Sequence, residues 1–272
     1  METDQSGNNN IIRVEGIVKR FGPRTVLDGI TFPIERAKTT VILGGSGCGK
    51  STLLKILVGY LKPDAGRIYY DDLDVVPLDE EGLDPIRKRF GILFQYGALL
   101  NSMTVGDNVA LPLVEHTNLD PKIIRMIVKM KLELVGLRGF EDLRPSQISG
   151  GKCKRVGLAR AIALDPEIVF YDEPSAGLDP VTSAVIDQLM MDLSHKLRIT
   201  SVVVTHHMDS AFKIADYMVM LHKGKILVQG GPDVIRNCDN PIVQQFIKGE
   251  ADGPVPLARV GDDYIKDLLG IE

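Results

Sequence analysis

The sequence contains little that would stabilise a fold from outside its core or anchor it in a membrane. It has no tryptophan and only three cysteines, whose odd number and wide spacing match neither a disulfide framework nor a zinc site. No apolar run approaches the roughly 18 residues of a membrane span, and the first ten residues lack the apolar core of a signal peptide. We therefore expect free thiols in a reducing compartment, and contact with a membrane only through partner proteins.

The chain also lacks a strong charge of either sign. Its formal net charge is −4 over 272 residues, so it lacks the clustered Lys and Arg that contact with nucleic-acid phosphates requires. Nucleic acid is therefore not an expected partner. The 44% hydrophobic and 25% charged content is that of an ordinary globular protein, and the length suffices for one sizeable core with a subdomain.

Strand-like and helix-like segments alternate along most of the chain. Thr39–Leu43 and Ile168–Tyr171 are continuous apolar or β-branched runs, as in strands buried on both faces. Helical spacing of apolar residues occurs at Ser51–Tyr60 and Val181–Leu197. This alternation predicts an α/β fold with a largely parallel sheet. Residues 96–165 show few strand signals, and helical periodicity occurs there at Pro121–Leu134 and Lys152–Leu164, so we expect a helical insertion.

One glycine-rich segment, between a predicted strand and a predicted helix, matches the P-loop pattern: Gly44-Gly45-Ser46-Gly47-Cys48-Gly49-Lys50-Ser51. Its glycines allow a tight turn whose N–H groups, with the helix N-terminus, can cradle phosphates. Lys50 would meet the β and γ phosphates, Ser51 would bind Mg²⁺, and Thr52 could hydrogen-bond phosphate. Cys48 is interpreted as a spacer, because the loop works through its backbone. The pattern alone leaves kinases, GTPases and motor ATPases open.

Two adjacent carboxylates follow the apolar strand Ile168–Tyr171. Asp172 is placed to hold the Mg²⁺ shell, and Glu173, one position further, to polarise an attacking water. An isolated Asp-Glu pair would more often be a solvated strand end. Together with a P-loop, however, it favours nucleotide hydrolysis.

A third motif, Ile148-Ser149-Gly150-Gly151-Lys152, precedes an amphipathic helix and by itself is a generic helix cap. In this order with the other two, it resembles the signature motif of ATP-binding-cassette (ABC) ATPases. Gln95 resembles the family's Q-loop glutamine, and Ser175–Asp179 its D-loop. His206 resembles the switch histidine, and Phe21 the aromatic residue that stacks on adenine. The resemblance spans residues 11–247. It implies a P-loop NTPase fold with a RecA-like parallel core, an inserted helical subdomain and an N-terminal antiparallel β portion.

The resemblance implies a head-to-tail dimer in which each ATP lies between the P-loop of one copy and the signature of the other. Ser149 and Gly151 would then act in trans on the γ-phosphate. Glu173 would be the general base, His206 would contact the γ-phosphate, and Gln95 would touch Mg²⁺ and the attacking water. ATP and Mg²⁺ are the implied cofactors, and Gly150 and Asp179 complete the implied nucleotide-binding set.

The sequence departs from the family pattern at two positions. Lys152 stands where the signature usually has Gln, and it either faces the phosphate region or simply the surface. His207 stands where Asp usually follows the switch histidine. We interpret His206 as the switch because it directly follows a predicted strand.

Further strings resemble one ABC subfamily, the ATPase subunits of the MCE-type lipid transporters of Gram-negative bacteria. These strings are Phe94–Leu100, Val105–Val109, Glu115–Thr117 and parts of Ala251–Glu272. The resemblance implies phospholipid transport between inner and outer membranes, which maintains outer-membrane asymmetry. It also implies permease subunits, a periplasmic MCE-domain protein, a small STAS-domain subunit, and a peripheral location at the cytoplasmic face of the inner membrane. The alternatives are the ATPase of a small-solute importer, a non-transport ABC protein and, remotely, a P-loop kinase.

Two regions carry interaction hypotheses. Residues 248–272 form a C-terminal extension, in which Ala251–Glu272 looks like a tail that leaves the core. Its apolar cluster of Tyr264, Ile265, Leu268 and Leu269 predicts docking on a neighbouring subunit, with a disordered tail as the alternative. Near the Q-loop, Leu99, Leu100 and Met103 suit either a groove for a permease helix or ordinary core packing.

Overall fold

The computed structural model describes residues 9–255, which contain two sheets. The strands, in chain order, are β1 (Asn10–Phe21), β2 (Arg24–Glu35), β3 (Thr39–Gly44), β4 (Ala65–Tyr70), β5 (Leu73–Asp74), β6 (Phe90–Leu93), β7 (Ile168–Asp172), β8 (Thr200–Thr205), β9 (Tyr217–His222) and β10 (Lys225–Gly230). The six-stranded sheet has the order β10-β9-β3-β8-β7-β6, parallel except for β10. The four-stranded sheet, β2-β1-β4-β5, is antiparallel.

Helices connect the parallel strands and fill the chain between β6 and β7. They are α1 (Lys50–Leu57), α2 (Glu80–Arg87), α3 (Val105–His116), α4 (Pro121–Leu134), a 3-10 turn (Pro145–Gln147), α5 (Gly150–Ala161), α6 (Pro180–Leu197), α7 (Met208–Ile214), α8 (Pro232–Arg236) and α9 (Pro241–Lys248). Helices α3, α4 and α5 pack together through fully buried apolar residues such as Val109, Leu132 and Val156.

The parallel sheet lies between two apolar cores. Because side chains alternate along a strand, Val41 and Leu43 of β3 face the core shared with the helices, whereas Ile42 faces the antiparallel sheet. Strand β7 shows the same division between Val169 and Phe170. Burial on both faces is the reason these strands are apolar throughout.

The predicted fold is confirmed: a parallel α/β core follows an N-terminal antiparallel sheet, and helices occupy the stretch between β6 and β7. Helices α2, α3, α8 and α9 were not predicted. Proline lies inside α2 and α3, at Pro85 and Pro112, so a sequence rule that ends helices at proline misses them. Helices α8 and α9 have only five and eight residues, too few for a clear helical periodicity. Within residues 9–255, no helix combines the length and the apolar character needed to cross a bilayer.

The first part of the C-terminal extension was expected to leave the core, but it does not. Residues 250–255 stay against α9, where the Gln245 side chain bonds the backbone of Val255 at 2.9 and 3.1 Å and the carbonyl of Glu250 at 3.3 Å. The predicted cluster of Tyr264, Ile265, Leu268 and Leu269 lies outside the described residues.

Candidate nucleotide-binding and hydrolytic site

The glycine-rich loop turns tightly between β3 and α1. A Cβ on Gly44 would overlap the Leu221 carbonyl oxygen, and one on Gly49 would lie 2.6 Å from a methyl of Leu27. Both residues also have positive φ, 149° and 112°, which favours glycine. Helix α1 has no side-chain cap at Gly49, so its first N–H groups remain available to an anion.

Lys50 is the cation of this loop. Its side chain is buried, and Nζ donates to the carbonyls of Gly44 at 2.7 Å and Gly45 at 3.2 Å. The ammonium group therefore lies inside the curl of the loop, beside the free N–H groups of α1. A nucleotide phosphate in the loop would meet both the charge and the donors.

The loop opens into a cavity of about 810 Å³ at the carboxyl ends of the parallel strands. Open α/β sheets bind ligands at this edge. The cavity brings together residues that the sequence placed in separate motifs: Gly45, Ser46, Gly47, Lys50, Ser51, Gln95, Glu173 and His206.

Glu173 is held in an unusual conformation at the cavity wall. Its φ of 47° is left-handed, and its N–H donates to the Val204 carbonyl at 2.8 Å. Oε1 lies 2.9 Å from Nδ1 of His206, whereas Oε2 is buried and has no hydrogen-bond partner. A carboxylate that lines the cavity and is held by a histidine is placed where a base could accept a proton from water.

Asp172 ends β7 beside Glu173. Its pKa is raised, mainly by burial and further by the negative charge of Glu173, while Lys50 and Lys55 act in the opposite direction. A half-buried carboxylate of raised pKa gains from a nearby cation. The Ser51 hydroxyl and the Gln95 amide line the adjacent cavity, so these three side chains could supply oxygen ligands to Mg²⁺.

The signature residues form a second group, which does not line this cavity. Ser149 is the N-cap of α5 and accepts from the Lys152 N–H at 3.5 Å. Gly150 is exposed with open space around it, and a Cβ on Gly151 would overlap a methyl of Thr182. Asp179 caps α6 by accepting from the N–H groups of Val181 and Thr182, each at 3.0 Å. The signature and the D-loop aspartate are thus neighbours through Thr182.

The two departures from the family pattern have structural partners. The Lys152 ammonium lies 4.7 Å from the centre of the Phe140 ring, so it packs on the helical region. The centre of the His207 ring lies 4.4 Å from that of His206, with the two rings tilted by 35°. The backbone N–H of His207 donates to the Thr205 hydroxyl. His206, rather than His207, contacts Glu173.

The predicted adenine residue, Phe21, ends β1 and is half exposed, with the Lys19 ammonium 5.6 Å from the ring centre. It pairs with Arg24 across the β1–β2 turn. Arg24 lines a hollow of about 270 Å³ with Gly49, Ser51 and other loop residues. The ring therefore stands at the same edge as the loop but does not line either cavity.

Sequence reasoning missed part of the cavity wall and one buried lysine. Phe246, Glu250 and Val255 line the same cavity as Glu173. Lys154 of α5 donates to the carbonyls of the loop that follows Glu173. No motif marks these residues, because their roles arise from tertiary packing.

The profile of the ABC transporter family matches residues 27–176. The chain belongs to the ABC transporter family. It is an ATP-hydrolysing subunit of a transport complex. The glycine-rich loop and Glu173 lie within the matched segment, and both line the cavity described above.

Relatives of this ABC ATPase carry two different transport names. The Haemophilus influenzae intermembrane phospholipid transport system ATP-binding protein MlaF is 43% identical over 96% of this chain and 99% of its own length. MlaF of Escherichia coli K12 is 42% identical over 96% and 97%. A probable ribonucleotide transport ATP-binding protein, mkl of Mycobacterium leprae, is 43% identical over 93% of this chain and 73% of its own length.

Two solved structures resemble this ABC ATPase closely. A dimeric ATP-binding cassette in a post-hydrolysis state, bound to ADP and Pi, has a TM-score of 0.75 and 30% identity, covering 81% of this chain and 98% of that one. The protein cbiO1 of Clostridium perfringens, part of the cbiONQ transporter complex, has a TM-score of 0.78 and 31% identity, covering 84% and 94%.

Proposed function

We propose that this ABC ATPase powers the movement of phospholipid between the inner and outer membranes and so maintains outer-membrane lipid asymmetry. The observation that carries the proposal is the match to MlaF, which extends over 99% of the Haemophilus influenzae protein. Similarity to the mycobacterial ribonucleotide transport protein is as high in identity but leaves about a quarter of that protein unmatched, at 73% coverage. Full-length correspondence favours the phospholipid assignment.

In the proposed reaction, Glu173 is the general base. Its place in the wall of the cavity that Lys50 and Ser51 also line, and the contact of Oε1 with His206, support this role. His206 holds the carboxylate through Nδ1 and reaches the γ-phosphate through its other ring nitrogen. Lys50 and the N–H groups of the loop bind the β and γ phosphates, and Phe21 stacks on adenine.

Mg²⁺ fits the donor set at the end of β7. Ser51, Gln95 and Asp172 would hold it. Burial is the main cause of the raised pKa of Asp172, and a nearby cation would stabilise the ionised form of such a carboxylate. When bound, the ion would neutralise charge that develops on the phosphates during transfer.

The active unit in this proposal is a head-to-tail dimer. Within one chain, Ser149–Gly151 and Asp179 lie apart from the cavity that holds Lys50 and Glu173. A second copy would present the N-terminus of its α5, with exposed Gly150, to the phosphates. The solved dimeric cassette with ADP and Pi is a precedent for a dimer.

Two surfaces support membrane and accessory partners. A groove of about 420 Å³ beside the Q-loop is lined by half-exposed Phe94 and Leu100, and we assign it to a permease helix. Of the predicted groove residues, Leu99 packs against the core instead. Helix α4 exposes an apolar stripe of Ile123, Met126, Met130 and Leu134, which suits a docked protein such as a STAS-domain subunit.

These contacts, with a periplasmic MCE-domain protein beyond the permease, would hold the ATPase at the cytoplasmic face of the inner membrane. The proposed domain division follows the same logic. Residues 11–247 form the ATPase domain, with a helical subdomain at about 96–165, and residues 248–272 form an extension that contacts a partner subunit.

The test is transport by the chain reconstituted with the membrane subunits encoded by neighbouring genes, using fluorescent phospholipid between two vesicle populations. We expect ATP-dependent lipid transfer, lost in Lys50→Ala and Glu173→Gln, with Glu173→Gln alone retaining bound ATP. Ribonucleotide uptake without lipid transfer would overturn the phospholipid assignment. Wild-type hydrolysis by Glu173→Gln would overturn the assignment of the base but not of the cargo.

A further inference from the structure

Lys154 is a buried cation that none of the family motifs explains. It lies in the second turn of α5, with only 5% of its surface exposed. Its ammonium donates to three backbone carbonyls, those of Pro174 and Ala176 at 2.7 Å each and that of Glu173 at 3.3 Å. One ammonium group thus binds three carbonyls within residues 173–176, the loop that begins with the catalytic carboxylate.

The other buried lysines in the described part of the chain have evident partners. Lys50 belongs to the phosphate loop, and Lys131 forms an ion pair with Asp165. Lys154 forms no ion pair within residues 9–255 at ordinary distance. Because burying an ammonium group is costly unless it is well paired, its position requires a benefit elsewhere.

That benefit lies in the backbone of Glu173. A left-handed φ of 47° is unfavourable for a glutamate and persists only when its surroundings hold it. The Glu173 N–H is fixed by the Val204 carbonyl at 2.8 Å, and its own carbonyl faces the Lys154 ammonium. Strand β8 thus holds this residue from one side and α5 from the other.

The two groups also interact electrically. Burial is the main influence on the Lys154 pKa and lowers it, whereas the negative charge of Glu173 acts in the opposite direction. The Lys154 ammonium thus binds the carbonyl of Glu173 and is also attracted by its carboxylate.

We propose that Lys154 is a positioning residue for ATP hydrolysis, which fixes the Glu173 loop to the signature helix. The proposal rests on Glu173 being the base. Ser149 caps the start of the same helix, about 7.5 Å away along its axis. The helix end that would face the partner's nucleotide is thereby rigidly joined to the carboxylate that acts on the chain's own nucleotide.

The test compares Lys154→Met with Lys154→Arg and Lys131→Met, all in the full-length chain within its membrane complex. Lys131→Met is the matched control, since it removes an equally buried lysine that does not touch the Glu173 loop. For Lys154→Met we expect kcat to fall about 10- to 100-fold, as for small displacements of a catalytic group. The affinity for a fluorescent ATP analogue should change less than about twofold, because the phosphate loop is untouched. Lys154→Arg keeps the charge and several donors, so it should recover most of the lost rate.

A double-mutant cycle with Glu173→Gln separates positioning from general support of the fold. If Lys154 acts through Glu173, Lys154→Met should have little further effect once Glu173 is Gln. An equal loss of rate in both backgrounds, a kcat within about twofold of wild type in Lys154→Met, or an equal loss in Lys131→Met would overturn the proposal. High activity of Glu173→Gln alone would instead show that the assignment of the base is wrong.

Discussion

At the scale of single residues, the fold requires glycine at some positions for a positive φ and at others for close packing. Gly44 and Gly49 serve the phosphate loop through positive φ, whereas Gly91 in β6 serves packing, because a Cβ there would overlap the Ala161 carbonyl of α5. The helical region thus rests directly on the backbone of the sheet at Gly91.

The substitution Gly91→Ala should therefore destabilise the fold. Overpacking against backbone atoms typically costs about 1–3 kcal/mol, which urea denaturation would measure as a lower midpoint with an unchanged slope. The control is Gly82→Ala in α2, where the nearest atoms to a Cβ are 3.3 Å away and two of the three belong to the Leu78 side chain. A Gly91→Ala variant as stable as this control would show that α5 moves away without cost.

Residues within motifs could be predicted from the sequence, and those defined by packing could not. Motif patterns led to Lys50 and Glu173, and the family resemblance led to Gln95 and His206. The structure brings all four to one cavity. Their roles remain predictions until variants are assayed. Lys154 could not be identified this way, because nothing in a sequence tells which carbonyls a buried ammonium will meet.

At the scale of elements, α9 fixes the start of the C-terminal extension through one side chain. Gln245 is 9% exposed and accepts from the Val255 N–H at 2.9 Å, while its amide donates to the carbonyls of Glu250 and Val255. Its neighbour Gln244 instead bonds the carbonyls of Arg236 and Cys238. Adjacent glutamines on one helix thus hold different segments.

This difference predicts a specific effect of Gln245→Ala on amide exchange. One hydrogen bond contributes about 1 kcal/mol. Exchange at the Val255 N–H should therefore accelerate roughly fivefold, since about 1.4 kcal/mol corresponds to a factor of ten. Gln244→Ala should leave Val255 unchanged and affect residues 236–238. Equal exchange at Val255 in both variants would mean that other contacts hold the segment.

A charged cluster joins the two sheets at the end away from the cavity. Arg89 contacts Glu167 at 2.9 and 2.8 Å and Asp71 at 2.9 Å, and Arg36 bridges the same two carboxylates. Hydrogen bonds from Arg89 are the main cause of the lowered pKa of Glu167. Glu167 therefore contributes its part of this stabilisation only while it is ionised.

Because the pKa of Glu167 is lower in the folded chain, its contribution is complete above the ordinary pKa of about 4.3 and is lost as pH falls through the folded value. Glu167→Gln should lower the unfolding free energy at pH 7 by about 1 kcal/mol or less, since the side chain is nearly half exposed. The difference from wild type should shrink in urea titrations below pH 4. A difference that is constant with pH would indicate lost packing instead of lost charge.

The elements themselves were predictable where periodicity was uninterrupted. Helix α4 begins and ends where the sequence indicated, at Pro121 and Leu134, because its apolar spacing has no break and Asp120 caps it. Helix α3 was not predicted, because Pro112 interrupts the helical pattern of its sequence. A capping box formed by Thr104 and Asp107 nevertheless begins this helix. Local signals thus decide most elements, and tertiary packing overrides them at proline.

At the scale of the whole molecule, the separation of two half-sites has the largest consequence. Lys50 and Glu173 line one cavity, and the signature Ser149–Gly151 lies beside Thr182 and Asp179, outside it. In the proposed dimer, a chain would bind phosphate with one surface and close on its partner's phosphate with the other. Two copies would then complete two sites, each built from different halves of the two chains.

This arrangement predicts complementation between two inactive variants. Lys50→Ala removes the phosphate-loop cation, and Ser149→Arg obstructs the start of α5, so each variant alone should lose nearly all hydrolysis. In a mixed dimer, the intact loop of one chain faces the intact signature of the other, which restores one of two sites. With random pairing, half of the dimers are mixed, and each mixed dimer has one intact site of two. An equimolar mixture co-expressed with the membrane subunits should therefore recover up to about a quarter of wild-type hydrolysis per chain. If each chain used its own signature, no mixture would recover activity. Recovery in the mixture, together with one trapped ATP per mixed dimer when Glu173→Gln is added, would establish that the sites are shared.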